Sequence, residues 1–166
     1  MKLDVGCGNR PRRGYVGIDK FSKRRSTIKA EAHSLPFYNG EVSAINCSHM
    51  IEHLYDKKVT TVLQEFYRVL KVNGKLEISC PDFERMVEMW IEGDYKYRWG
   101  IGLIKIFGWQ RYPGDFHYTG FSKKRIKNIL QNHGFEVVKI ENRPSQAKKE
   151  VEQFPDGDLY VEAYKI

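Results

Sequence analysis

Leu3-Asp4-Val5-Gly6-Cys7-Gly8-Asn9 is an apolar run that ends in Asp-x-Gly-x-Gly, and an acidic residue returns at Asp19. The pattern predicts a strand, a tight glycine turn, a short helix and a second strand closed by a carboxylate. Such an arrangement builds a nucleotide pocket at the carboxyl end of a parallel sheet. Gly6 and Gly8 let the backbone turn sharply and approach a ligand where a Cβ would collide. Asp19, at the end of the second strand, is placed to accept hydrogen bonds from ribose hydroxyls.

What is missing narrows the ligand. A dinucleotide fingerprint needs G-x-G-x-x-G, and Pro11 stands at the third glycine position. Pro11 also blocks a long helix directly behind the turn, because it lacks an N–H and clashes inside helices. No phosphate cradle of the G-x-x-x-x-G-K type is present. A pocket that reads ribose without a pyrophosphate site suits S-adenosylmethionine, with Asp4 facing the methionine end directly or through water. On these residues the chain resembles the class I S-adenosylmethionine-dependent methyltransferases.

The rest of the chain extends the pattern. Strands are expected at residues 2–5, 15–19, 28–30, 42–47, 75–79, 135–140 and 159–164. Val59, Val62, Leu63, Phe66, Val69 and Leu70 recur at helical spacing and predict a helix over 57–70. Asn73-Gly74 is expected to turn the chain into the next strand. Pro81-Asp82 opens a helix to about Glu92, and Ser122 caps a helix over 123–132 that Gly134 ends. Alternation of strands and helices predicts an α/β fold, a Rossmann-like, doubly wound and mostly parallel sheet. The last two strands, joined without a helix, add an antiparallel hairpin at one edge. One domain fits the 166 residues, with 90–121 as an aromatic-rich insertion.

The resemblance then covers nearly the whole chain. Glu31 through Phe37 resembles the family's acid-x-x-x-Leu-Pro-Phe loop, where the acid or its neighbour's backbone meets the adenine. Ser48-His49-Met50-Ile51-Glu52-His53-Leu54 is similar to the segment that follows the fourth strand in the family's type 11 branch. Arg68-Val69-Leu70-Lys71-Val72-Asn73-Gly74-Lys75-Leu76 resembles that branch's R-V-L-K-P-G-G-x-L. Ile78 to Asp82 and Phe116 to Phe121 look like a subgroup of small predicted methyltransferases, many of them in glycan or cell-surface pathways. Ser43 departs from the Asp that the family often has there. The resemblance implies a donor site of Asp4, Gly6, Cys7, Gly8, Asp19, Glu31, Ala32, Ser48 and His49, and S-adenosyl-L-methionine as the cofactor.

Catalytic residues are harder to read. Methyl transfer is a displacement at an activated sulfonium and gains much from holding the two reactants aligned. A general base is optional. His49 and His117 are the candidates, each as a base or a substrate contact. The alternatives are a donor-pocket wall for His49 and a packed side chain for His117. His49-Met50-Ile51-Glu52-His53 also matches H-x-x-E-H, a zinc peptidase pattern. That motif needs a long helix, whereas here a strand precedes it and Asp56 follows closely, so no metal site is expected. Cys7, Cys47 and Cys80 lack C-x-x-C spacing and read as reduced packing residues.

Trp90, Tyr95, Trp99, Phe107, Trp109 and Tyr112 crowd residues 90–121 with interleaved glycines. They suggest a mobile cover with apolar walls over the acceptor, or a small helical subdomain that packs on the sheet or forms a dimer contact. The net charge is +7, with basic residues clustered at 10–29 and 123–127. Such a surface either attracts an anionic partner such as RNA or a sugar nucleotide, or is a solvated face. No run of apolar residues is long enough to span a membrane, and neither a leader nor a disulfide framework is visible, so a cytoplasmic location is expected. The expected activity is methyl transfer to oxygen or nitrogen of a small-molecule or glycan-like acceptor. The rival from another class is a non-catalytic partner subunit that keeps the pocket, and RNA methylation is the rival within the enzymes.

Overall fold

The structure, a computed structural model, describes residues 1–144 and 157–166. Its frame is a six-stranded sheet of order β2-β1-β3-β4-β6-β5. β1 (Lys2–Val5), β2 (Val16–Ile18), β3 (Val42–Ser48) and β4 (Leu70–Pro81) are parallel. β6 (Asp158–Lys165) runs antiparallel to β4, and β5 (Phe135–Arg143) antiparallel to β6. β1 has β2 on one side and β3 on the other, so the strand order reverses there and a crevice opens at the carboxyl ends. The expected fold class stands. The expectation that no helix joins the last two strands falls on residues 145–156, outside the described residues.

One face of the sheet is apolar and carries the flanking helices. Leu3, Ile45, Leu76 and Ala163 lie in register across four strands, as do Val5, Cys47, Ile78 and Val161. Onto them α1 (Asp56–Val69) presents Val59, Val62, Leu63, Phe66 and Val69, and α5 (Lys123–Asn132) presents Ile126 and Leu130. Phe66 is fully buried, and burying such a side chain contributes about 1.5–3 kcal/mol. Ser122 caps α5 by accepting from the Arg125 N–H, and Gly134 follows its end at φ 83.

The opposite face is polar. Asp4, Asn46, Glu77 and Glu162 stand in register there. The loop between β1 and β2 closes over them without forming the expected short helix. Pro11 cannot donate, and the Asp4 carboxylate captures the Arg12 N–H at 2.7 Å before any helical turn can use it. The Arg12 guanidinium then reaches Asn46 at 3.2 Å and Glu77 at 3.1 Å, while the Tyr160 hydroxyl donates to Glu77 at 2.7 Å. Burial alone would raise the Glu77 pKa, but Tyr160, Arg12 and Lys75 outweigh it and hold the carboxyl below the usual range. Among the described residues, α1 and α5 share the apolar face, and this loop with its polar ladder takes the place of a second helical layer.

Two further expectations are modified. The strand expected at 28–30 is one bridge, Ile18 to Ile28, because the chain turns away at Glu31–Ser34 before it can pair further. The Asn73-Gly74 turn lies within β4 as a register shift: Leu70 pairs with Val42 and Lys75 with Ala44, and Asn73 takes a φ of 59. After β4, Asp82 caps α2 (Phe83–Glu92) through the Arg85 N–H. The short helices α3 (Tyr95–Tyr97) and α4 (Leu103–Phe107) follow.

Candidate active site

Two cavities, with a polar recess adjoining the first, open at the carboxyl ends of the parallel strands. The one at β1 and β2, of about 230 Å³, brings together six of the expected donor residues: Gly6, Gly8, Asp19, Glu31, Ala32 and His49. Gly6 has a φ of 75, and a Cβ there would strike the Met50 side chain, so only glycine makes this turn. Asp19 first closes the turn itself, accepting the Gly8 N–H at 2.9 Å and the Phe21 N–H at 2.7 Å. Each of its oxygens keeps a second lone pair for a ligand hydroxyl. Lys20 pairs with Glu31 at 3.3 Å across the rim.

The other three expected donor residues, Asp4, Cys7 and Ser48, line an adjoining polar cavity with Arg10, Arg12 and Arg143. Gly6 and His49 belong to both cavities. Asp4 is buried, and its oxygens accept from the Arg12 N–H and from the Asn46 amide at 2.6 Å. It therefore shapes this wall through its partners. Cys47 and Cys80 are fully buried, and burial pushes both thiols up. They are packing residues.

The Arg-Val-Leu-Lys segment also has a structural account. Arg68 donates to the carbonyls of Phe37 at 2.9 Å and Leu35 at 3.2 Å, while Glu65 accepts the Leu35 N–H at 2.6 Å. The pair clamps the Leu-Pro-Phe loop that follows Glu31 and Ala32. Arg68 in turn holds the Glu65 carboxyl below the usual range.

The second cavity, of about 380 Å³, lies over the ends of β3 and β4. The strand ends supply charged groups, His49, Glu52 and Asp158, and the insertion over them supplies apolar Ile101, Ile104, Trp109 and Tyr112 together with Lys105 and the Arg111–Asp115 ion pair. His49 has a φ of 49, an unusual conformation for a residue with a side chain. Its Nδ1 lies 3.3 Å from Glu52 and its Nε2 3.1 Å from Asp158. Both contacts are ion pairs that fall outside hydrogen-bond geometry. Burial by itself would lower the imidazole's pKa, but Asp158 and Glu52 outweigh it and raise it to about 10. A proton is already on the ring at neutral pH, which suits a substrate contact rather than a base. His117 is the reverse case: burial lowers its pKa, and its Nδ1 faces the Lys105 carbonyl at 3.1 Å. Burial also lowers the pKa of Lys105, against the pull of Asp158.

Comparison with known proteins agrees with this geometry. Residues 3–78 match the family model described as a methyltransferase domain. Residues 3–78 thus resemble a methyltransferase domain, and the whole chain has the fold of S-adenosylmethionine-dependent methyltransferases. Among solved structures, an S-adenosylmethionine-dependent methyltransferase from Methanosarcina mazei superposes with a TM-score of 0.70 at 17% identity, over 99% of this chain and 92% of that one. The 1,6-didemethyltoxoflavin-N1-methyltransferase of Burkholderia thailandensis, solved with 1,6-didemethyltoxoflavin and S-adenosylhomocysteine, gives 0.65 at 13% identity, over 99% and 70%. The methyltransferase of a Haloferax volcanii complex with the Trm112 methyltransferase activator gives 0.65 at 14% identity, over 98% and 81%. At these identities the likeness is one of fold. A comparison with curated protein sequences finds no match.

Several residues of the second cavity escape sequence reasoning. Lys105 sits in the aromatic insertion, Asp158 opens the last strand, and neither has a spacing that points to His49. Glu52 carries a signal only through its place between His49 and His53. The insertion does line the cavity, through Ile101, Ile104, Lys105, Trp109, Tyr112 and His117. Among the described residues, no helix is long and apolar enough to cross a membrane.

Proposed function

We propose that the chain transfers a methyl group from S-adenosylmethionine to an oxygen or nitrogen of a small-molecule or glycan-like acceptor. The observation that carries this reading is the shared wall: His49, His53 and Tyr112 line both cavities. A donor seated on the glycine turn would direct its methyl group across that wall at whatever occupies the second cavity. In this reading Asp19 takes the ribose and Glu31–Ala32 meet the adenine. The polar cavity of Asp4, Cys7 and Ser48, with Arg10, Arg12 and Arg143 alongside, takes the charged methionine end. The acceptor enters under Trp109 and Tyr112, with apolar walls beside polar anchors, as small-molecule sites normally have. His49 and His117 contact it. Alignment of the acceptor atom with the sulfonium methyl supplies much of the rate.

Calorimetric titration with S-adenosylmethionine and S-adenosylhomocysteine is the direct test, with NAD as control. Saturable binding of the first two supports the reading, and formation of S-adenosylhomocysteine with an acceptor panel completes it. No binding of either would overturn it. Binding without turnover on any acceptor would favour the non-catalytic partner subunit.

A further inference from the structure

From the geometry we infer a binding site for a divalent first-row transition-metal ion formed by Glu52, His53 and His117, on the wall between the two cavities. The site reverses the expectation of no metal. It also differs from the H-x-x-E-H pattern: only a single turn, Ile51–His53, is helical there, and His49 is held between Glu52 and Asp158 outside the ligand set.

Glu52, His53 and His117 each offer a ligand atom, and these atoms lie within 4.8 Å of one another. A metal bound at about 2.1 Å by each would hold them roughly 3.4 Å apart, so small side-chain rotations complete the site. The Glu52 side chain is 2% exposed, and neither carboxylate oxygen finds a hydrogen-bond partner among the described residues. An unsatisfied buried carboxylate is costly unless something positive completes it. The His49 ring approaches one oxygen at 3.3 Å as an ion pair outside hydrogen-bond geometry, so it offsets only part of that cost and leaves carboxylate lone pairs for a second cation.

Both rings are set up as ligands. His53 places Nδ1 2.9 Å from the Phe116 carbonyl, and His117 places Nδ1 3.1 Å from the Lys105 carbonyl. A carbonyl only accepts, so Nδ1 carries the hydrogen in each ring, and the neutral ring's Nε2 is left with a lone pair. Metal-binding histidines are commonly oriented in this way, by donating the other nitrogen to a carbonyl. The rings stand edge to face with centroids 4.9 Å apart. The backbone fixes the meeting of these distant segments: the N–H groups of Tyr118 and Thr119 donate to the Glu52 carbonyl at 2.9 and 3.2 Å, and the Thr119 hydroxyl donates to Leu54 at 2.6 Å.

Two imidazoles and one carboxylate suit zinc, iron, cobalt or manganese rather than calcium or magnesium, and leave open positions on the ion. All three ligands line the second cavity, and His53 lines the first as well. Resting on the methyl-transfer reading, an acceptor hydroxyl bound to the ion would lose its proton to solvent more readily. Its oxygen would then bond the methyl carbon as the carbon–sulfur bond breaks, with that electron pair passing to sulfur to give neutral S-adenosylhomocysteine.

The test needs no acceptor. The protein is stripped with chelator and titrated with zinc and cobalt chloride by calorimetry. Imidazole nitrogens are followed by NMR with zinc, and the visible absorption with cobalt. One ion per chain is expected, with the Nε2 resonances of His53 and His117 shifted and those of His33 and His133 unmoved. Glu52→Gln and His117→Ala should each weaken binding by on the order of 10- to 100-fold or more, whereas His33→Ala should not. Absence of stoichiometric binding to the wild-type protein would overturn the site. So would unshifted His53 and His117 resonances, or undiminished binding in folded Glu52→Gln and His117→Ala variants. If a variant fails to fold, the wild-type NMR result decides. S-adenosylhomocysteine binding without metal binding would overturn the ion alone, and metal binding without S-adenosylhomocysteine binding would overturn the methyl-transfer reading alone.

Discussion

The two cavities share a wall but are assembled in different ways. The cavity on the glycine turn, the proposed donor side, takes all but Tyr112 and Gly114 of its lining from residues 5–54, as strand ends and the few residues after them. The cavity under the insertion, the proposed acceptor side, draws on residues 49–53, on Pro81 and Met86, on residues 101–117, and on Gly157 and Asp158. A site made by consecutive backbone turns is fixed by local chemistry: a left-handed glycine, a carboxylate that closes the turn. A site made by distant segments is fixed by tertiary lacing, here the bonds from residues 117–119 to Phe107, Glu52 and Leu54. The first kind constrains the ligand class. The second is free to differ between proteins that share the first.

The largest expected effect tests the acceptor side. His117→Ala should lower turnover by about 10²-fold through lost positioning of the acceptor while changing S-adenosylhomocysteine affinity far less, as read by steady-state kinetics beside calorimetry. Equal losses of both, with a lower melting temperature, would make His117 a packing residue and blur the division between the cavities. On the donor side Asp19→Ala removes the proposed ribose acceptor and the anchor of the Gly8 N–H. Hydrogen bonds to a charged group are worth about 1.5–3 kcal/mol, so donor affinity should drop roughly 10- to 150-fold. Unchanged affinity would mean that the ribose lies elsewhere. Gly6→Ala should cost about 1–3 kcal/mol of backbone strain, seen as weaker donor binding and a lower melting temperature. A wild-type affinity in this variant would show that Met50 moves aside freely.

The smallest effect concerns stability beneath the donor side. Glu77→Gln should destabilise by about 1–2 kcal/mol near neutral pH, measured by denaturant unfolding. Because the folded carboxyl's pKa lies below its unfolded value of about 4.3, its contribution is full above that value and fades as pH falls through the folded one. The gap between wild type and variant should therefore close in acid. A gap that persists there would assign the loss to packing.

The turn that lines the first cavity was legible because Gly6, Gly8 and Asp19 act through backbone geometry, which spacing encodes. The helices at 56–69 and 123–132 were legible because their buried residues repeat at helical period. The absent helix after Gly8 was half legible: Pro11 announced it, but the capture of the Arg12 N–H by Asp4 depends on a fold that spacing does not show. The single bridge at Ile28 lay beyond pattern, since Ile28-Lys29-Ala30 is too short a run to separate strand from loop. The charged lining of the second cavity was hidden for a different reason. Lys105 and Asp158 look like ordinary surface residues until the chain returns over β3 and β4 and desolvates them.

The rims of the sheet carry one more consequence. On one side β2 is three residues long and already takes Ile28 on its outer edge. On the other, β5 is bulged between Val137 and Lys139, and Glu141 holds Lys139 and Arg143 in ion pairs along it. Short, bulged and charged edges make poor templates for a strand from another molecule. Growth into fibrils by strand addition is thus blocked at both margins, so the concentrated samples that weak-ligand titrations require should stay clear of that form of aggregation.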